Sequence, residues 1–254
     1  MRSWWNLAWP PVVAVILFLA GWQLAVSAFH IEAWLLPSPL QIVRKGWEQA
    51  SVLTGHTWAT VKLTLMGFLI GVGTGLLIAM ILHLIPFLRS ALYPLLILSQ
   101  NVPAIILAPL LMIWFGFGLL PKLIVITLVC FFPVAVAAMS GFNQTDRMML
   151  NYMRMAGAGK RQIFTKLELP HALPSIFSGL KIAATYSVMG AVIAEWMGAD
   201  QGIGYYMNLQ KSGYRTDLVF AAVFIIVALS LLLFGLIALL EKGVIRWRPQ
   251  RQNS

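Results

Sequence analysis

Apolar runs of about 20 residues recur along this chain, with short polar stretches between them. A run of that length, wound as an α-helix, just crosses the hydrocarbon core of a bilayer. Charged residues make up only 10% of the 254 residues, whereas an average soluble domain carries roughly 25%. The sequence therefore predicts an all-α integral membrane protein.

The apolar runs mark six transmembrane helices. These spans are predicted at about 9–29, 58–84, 91–115, 119–141, 176–197 and 218–240. The first span and the mixed segment after it form one unit, residues 1–57, in which an amphipathic helix, Leu40–Val52, follows Ser38 and lies at the interface. Residues 58–240 form a five-helix core, and residues 241–254 form a basic tail.

The distribution of positive charge predicts which side each loop faces. The net charge is +10, and placing both termini in the cytoplasm puts twelve of the 18 Lys and Arg residues on that side. Short basic loops are preferentially kept in the cytoplasm. We therefore expect cytoplasmic N and C termini and a cell-membrane location, and we interpret the charge as a topology signal rather than a nucleic-acid surface.

The longest polar interruption, residues 143–174, lies between the fourth and fifth spans. Its pattern predicts two short helices, Met148–Met155 and Arg161–Leu169, with a break at residues 157–159, and Pro170 and Pro174 are expected to end the second helix before the next span. A connector between two spans needs less chain than this. We therefore expect the loop to dock a soluble cytoplasmic partner, with a plain connector as the alternative.

Glycines follow a four-residue spacing in the second span, at Gly67, Gly71 and Gly75. Small residues on one helical face let a second helix approach closely within lipid. The sequence predicts a packing face there, and the small residues around Gly179 and Gly190 predict another in the fifth span.

Polar residues inside two of the spans are candidates for a translocation path. Ser99, Gln100 and Asn101 lie in a span that three prolines interrupt, where they either line the path or belong to a kinked helix whose polar groups bond to neighbours. Ser187 and Glu195 complete the candidate set. For Glu195, capping or pairing at a helix end is the alternative.

Catalytic and metal-binding motifs are missing from the sequence. It contains no GxxxxGK[ST], HExxH or CxxC pattern, and Cys130 is its only cysteine, which we assign to packing. The chain is therefore expected to be non-catalytic, to hold no metal or cofactor and to hydrolyse no ATP by the P-loop route. A carrier driven by an ion gradient is the main alternative, although the spans carry few of the charged residues that such carriers use. A membrane-embedded enzyme and an exporter are further rivals.

The loop resembles the EAA loop of ATP-binding-cassette (ABC) importer permeases, which follows the pattern E-A-A-x3-G-x9-I-x-L-P. Residues 151–170 match it at Gly157, Leu169 and Pro170. Asn151 stands at the position of the usual glutamate. Tyr152-Met153 replace the two alanines, and Leu167 replaces the isoleucine.

Four further segments resemble one branch of these permeases, that of the nitrate, taurine, alkanesulfonate and pyrimidine-precursor importers. They are LLPSP at 35–39, NVPAIILAPLLMIWFGFG at 101–118, ALPSIFSGLKIA at 172–183 and AEWMGADQGIGYYM at 194–207. Together with the loop they extend the resemblance over nearly the whole chain after the first span.

The resemblance implies a type I ABC importer permease fold and a role as the membrane-spanning subunit of an ATP-driven importer. It implies a homodimer, a cytoplasmic ATPase dimer that binds the ATP, an extracytoplasmic solute-binding protein, and a small polar solute such as a sulfonate or a thiamine pyrimidine precursor. A coupling helix, roughly residues 158–167, would contact the ATPase. The implied coupling residues are Asn151, Gly157, Ala158, Lys160, Arg161, Phe164, Leu169 and Pro170.

Overall fold

A computed structural model describes residues 4–246, and the secondary structure of this part is helical. Arg2 and the basic residues of the tail from 247 onwards, which entered the topology prediction, lie outside the described residues. The helices are α1 Trp4–Ala28, α2 Pro39–Glu48, α3 Ala50–Leu84, α4 Pro86–Ser99, α5 Ala104–Phe115, α6 Leu119–Asn143, α7 Arg147–Met155, α8 Lys160–Ile163, a π-helical turn Phe164–Glu168, α9 Leu169–Trp196, α10 Ile203–Ser212 and α11 Thr216–Val244.

Within the described part, five helical segments are long and apolar enough to cross a membrane: α1, α3, α6, α8 with α9, and α11. The span predicted at 91–115, interrupted by three prolines, is divided into two shorter apolar helices, α4 and α5. The break falls at residues 100–103, where Pro103 cannot donate a backbone hydrogen bond and restricts the residue before it. The count of six spans stays a prediction.

Helix α6 forms the centre of the structure, with α3 and α9 packed against it. Ile126, Cys130 and Val134 of α6 are fully buried at these contacts, so the assignment of Cys130 to packing is confirmed. Gly67, Gly71 and Gly75 of α3 all face α6.

The glycine contacts leave no room for a side chain. A Cβ atom built on Gly71 would lie 2.6 Å from the Cβ of Cys130 and 2.8 Å from the carbonyl oxygen of Thr127. A Cβ on Gly179 of α9 would lie 2.6 Å from the Cβ of Ala137 and 2.8 Å from the carbonyl oxygen of Pro133. The predicted small-residue faces are therefore the surfaces that join α3 and α9 to α6.

The amphipathic helix predicted at Leu40–Val52 ends earlier than expected, at Glu48. Ser38 and Gln41 form the capping box that begins α2, with Gln41 N–H donating to Ser38 Oγ at 3.4 Å and Ser38 N–H to Gln41 Oε1 at 3.0 Å. Residues from 50 onwards join α3 instead, because Leu53 is buried against α10 and α11. The second span therefore begins eight residues before the predicted position 58.

The expectation that Pro170 and Pro174 stop the chain is also wrong, since residues 160–196 form one continuous helical segment of 37 residues. Pro170 lies in the first turn of α9, directly after the π-helical turn. A π-turn widens the helix, which relieves the clash between the proline ring and the preceding carbonyls. The helix of the fifth span thus begins before residue 176, and α9 itself starts at Leu169.

Replacing Gly71 with leucine should destabilise the fold by about 1–3 kcal/mol, the usual cost of overpacking a filled site. Gly73→Leu is the matched control, because nothing lies within 4 Å of a Cβ at Gly73. Thermal unfolding in detergent, followed by size-exclusion fluorescence, measures both variants. Equal melting temperatures would show that the α3–α6 contact does not depend on the glycine face.

Candidate coupling loop and solute cavity

Helix α7 is the most exposed part of the polar loop. Asp146 caps it, with Oδ1 accepting a hydrogen bond from Met148 N–H at 2.7 Å. Met148 and Met155 are 79% and 81% exposed, Tyr152 is also exposed, and α7 has no buried residue. Exposed apolar side chains on a short helix, flanked by basic residues, are typical of a surface that another protein covers.

Gly157 makes the turn that ends α7. Its φ of +81° lies in the left-handed region, which glycine adopts without strain. Ala158 N–H donates to the carbonyl oxygen of Met153 at 2.9 Å, closing the helix end. Gly159 N–H then donates to Gln162 Oε1 at 2.9 Å, and α8 begins. The two short helices therefore meet at a defined turn.

An aromatic cluster anchors α8 to the ends of α3 and α6. The rings of His83 and Phe142 stack with centroids 4.6 Å apart, and Phe164 lies 5.7 Å from Phe142. His83 Nε2 lies 2.9 Å from Glu168 Oε2, and Ile163 of α8 is buried. The loop is thus fixed at its second end while α7 stays exposed.

The eight residues implied by the resemblance divide between these two settings. Asn151, Gly157, Lys160 and Arg161 are exposed. The other four are partly buried: Ala158 in the turn, and Phe164, Leu169 and Pro170 at the anchored end. Their role in coupling to an ATPase stays a prediction.

A cavity of about 610 Å³ lies beside α5, between α6 and α9. Its lining carries no charged side chain. The polar groups are Gln100, Ser140 and Tyr186, and apolar residues that include Phe132 and Met189 supply most of the wall. The sequence reasoning missed Ser140 and Tyr186. Tyr186 lies on a helical stripe of α9 with Ile182, Met189 and Ile193, next to the packing-face residue Gly190, and that spacing was the only available signal.

Of the candidate path residues, Gln100 lines this cavity, whereas the others lie elsewhere. Ser99 Oγ donates to Leu96 O at 2.9 Å and Asn101 Nδ2 to Ile97 O at 3.1 Å, so both bond within the turn that ends α4. Ser187 is buried, and its hydroxyl donates to Ala184 O at 2.7 Å. Ser187 therefore lies on the packing face of α9.

Glu195 lies far from the coupling loop and is only 2% exposed. Its Oε1 accepts a hydrogen bond from the Thr60 hydroxyl at 2.8 Å, and its Oε2 accepts one from Gly204 N–H at 2.8 Å. Thr60 Oγ1 in turn accepts from Ile203 N–H at 2.8 Å. The carboxylate therefore caps the first turn of α10, as the alternative interpretation of Glu195 held.

The short outer loop predicted at Tyr205–Thr216 is mostly helical, because α10 extends to Ser212. Its start is crowded, because a Cβ at Gly202 would overlap the Glu195 carboxylate. Gly202 N–H donates to His56 Nδ1 at 3.1 Å. Side chains from α3 and α9 thus satisfy three backbone donors that a helix start otherwise leaves unpaired.

Residues 71–246 match the family model described as the binding-protein-dependent transport system inner membrane component. The chain belongs to this family. The permease is 33% identical over 242 residues to the formylaminopyrimidine transport permease ThiX of Halalkalibacterium halodurans, a match that covers 95% of this chain and 96% of ThiX. It is 31% identical to the riboflavin transport permease RibX of Chloroflexus aurantiacus, covering 97% and 94% of the two chains. It is also 31% identical to the putative aliphatic sulfonates permease SsuC of Bacillus subtilis, covering 91% and 84%.

The fold agrees with the family. An inward-facing structure of the MetNI methionine ABC transporter superposes with a TM-score of 0.69 at 20% identity, covering 78% of this chain and 99% of that chain. The expected type I ABC importer permease fold is confirmed. The permease is a non-catalytic, multi-pass transport subunit of an ABC importer in the bacterial inner membrane.

Replacing Glu195 with alanine should destabilise the permease by about 1–3 kcal/mol, because Thr60 and Gly204 lose their buried acceptor. Glu195→Gln keeps one acceptor oxygen and should lose less. Ser187→Ala, which removes a hydroxyl bonded within its own helix, is the control. Melting temperatures in detergent measure the effect, and a loss of transport at unchanged stability would instead place Glu195 in the path.

Proposed function

We propose that two copies of this permease enclose the solute path and that residues 143–168 dock an ATPase dimer in the cytoplasm. A solute-binding protein delivers solute at the opposite, α10 end of each copy. The observation that carries this proposal is the continuous helical segment from α8 through α9, which joins the loop to the cavity wall. A displacement of the loop is therefore transmitted along this segment towards the residues that face the cavity.

The incomplete enclosure of the cavity supports the proposed homodimer. In the proposed dimer one chain supplies only one side of the path, and Ile106 and Ile113 of α5, a helix that contributes Leu107 to the cavity wall, are largely exposed. A second copy related by two-fold symmetry covers such a surface with the same surface of its partner. The family relationship, in which permeases act with an ATPase and a binding protein, supports the other partners.

We propose further that the solute is a neutral, planar heteroaromatic compound rather than a sulfonate. The cavity lining offers the amide of Gln100 and the hydroxyls of Ser140 and Tyr186, with Phe132 and Met189 beside them. These groups suit a ring with hydrogen-bonding edges, because aromatic and sulfur-containing side chains pack on ring faces. A permanent anion would be desolvated there without a compensating cation. Two relatives, named for formylaminopyrimidine and riboflavin, support the same class.

A tagged permease purified from its native membrane should bring down an ATPase with a P-loop, because the exposed apolar face of α7 needs a protein cover. Gly157→Val should weaken this association, since a β-branched residue is strained at φ +81°. Gly157→Asn, which tolerates the left-handed region, should retain it. Mass spectrometry of the recovered proteins is the measurement. A permease that purifies alone and moves solute with an ion gradient would contradict the proposal and favour the secondary carrier.

Vesicles that hold the assembled importer should take up formylaminopyrimidine in preference to taurine. Tyr186→Ala should reduce this uptake about tenfold, equal to the roughly 1.4 kcal/mol of an aromatic contact. Tyr186→Phe keeps the ring and should lose less, which separates stacking from hydrogen bonding. Uptake of labelled solute at matched permease levels provides the test, and a preference for taurine would overturn the heteroaromatic assignment.

A further inference from the structure

The π-helical turn Phe164–Glu168 is a weak point in the helical segment that joins the loop to the cavity. Leu169 N–H bonds to Phe164 O five residues back, instead of to the carbonyl four residues back. Pro170 and Pro174 follow directly, and neither has an N–H to continue the backbone ladder. Helices bend preferentially at prolines and at π-turns. Displacement of α8 would therefore be absorbed by bending at this turn unless side chains stiffen it.

Two side chains brace the turn from outside. Glu168, within the turn, accepts a hydrogen bond from His83, in the last turn of α3, with Nε2 and Oε2 2.9 Å apart. An ionised carboxylate only accepts, so Nε2 carries the hydrogen. Both side chains are largely buried, at 13% and 16% exposure, where water competes little for the bond. The stack of His83 on Phe142 holds the imidazole in place.

We infer that His83 and Glu168 are positioning residues for coupling, which make the π-turn move as one body with the end of α3. The inference rests on the proposed function of the loop. Helix α3 packs on α6 through the glycine face, and α6 packs on α9. The brace therefore transmits a displacement of α8 to α3, α6 and α9. The cavity wall is formed by α6 and α9. Both sides of that wall then respond together.

Without the brace, α8 moves with the ATPase, but bending at the π-turn leaves the helices of the cavity wall in place. Glu168→Ala and His83→Ala should therefore keep ATP hydrolysis but lower the solute moved per ATP by about fivefold or more, the low end of typical coupling energies. Glu168→Gln and His83→Gln keep an acceptor and a donor at the same positions and should restore most of the ratio. Ser178→Ala is the control, since its exposed hydroxyl bonds to Pro174 O within α9.

The experiment uses the complete importer in vesicles, with formylaminopyrimidine uptake and phosphate release measured together. Hydrogen exchange at residues 79–84 of α3, with and without ATP and vanadate, adds a readout that needs no solute. Trapping should change exchange there in the wild type and in the glutamine variants but not in the alanine variants.

The outcomes separate this inference from the proposed function. Alanine variants that keep both the wild-type transport ratio and the wild-type change in exchange would overturn the brace alone. A wild-type permease that recovers no ATPase would overturn the coupling loop and the brace with it. Size-exclusion chromatography identifies any alanine variant that fails to fold, and the glutamine variants then provide the test. A wild-type ratio of solute moved per ATP, with the wild-type change in exchange, supports the brace. A ratio lowered fivefold or more in the glutamine variants overturns it.

Discussion

The close approach of α3 and α9 to α6 is the contact on which the rest of the structure depends. Lipid tails are as apolar as leucine, so helices in a bilayer gain little from hiding side chains from one another. Van der Waals contact must hold them instead, and glycine permits it by exposing bare backbone. Gly71 and Gly179 each meet α6 at distances that no larger residue could reach. The cavity wall and the anchored loop are both built on the three-helix unit that results.

Hydrogen bonds hold two clusters of buried or largely buried polar side chains. Burying a carboxylate costs free energy unless hydrogen bonds replace its water. Glu195 meets this condition at the start of α10, where backbone N–H groups would otherwise lack acceptors. Glu168 meets it through His83, at the other end of α3. The two polar clusters therefore lie towards opposite ends of α3.

The sequence was informative wherever one helix carries its own signal. The apolar runs predicted the long spans, and the spacing of Gly67, Gly71 and Gly75 predicted a packing face. The glycines around Gly157 predicted the turn between the two loop helices. It was uninformative where distant contacts decide. Thr60 and Glu195 are separated by 135 residues, and no local pattern joins them. Prolines predict helix ends from their own geometry, so Pro170 concealed the π-turn that lets the helix continue. A stripe such as that of Tyr186 looks the same whether it faces lipid or a cavity.

The uncovered methionines of α7 have a consequence for how the subunit persists in a cell. A permease made in excess of its partners displays Met148 and Met155 to the aqueous phase. Exposed apolar residues on a short, weakly held helix favour self-association and give proteases an accessible site. Thioether oxidation would also make that face polar before any partner arrives. Surplus copies would thus be short-lived, and the balance among the subunits of the importer would be set by survival as well as by synthesis.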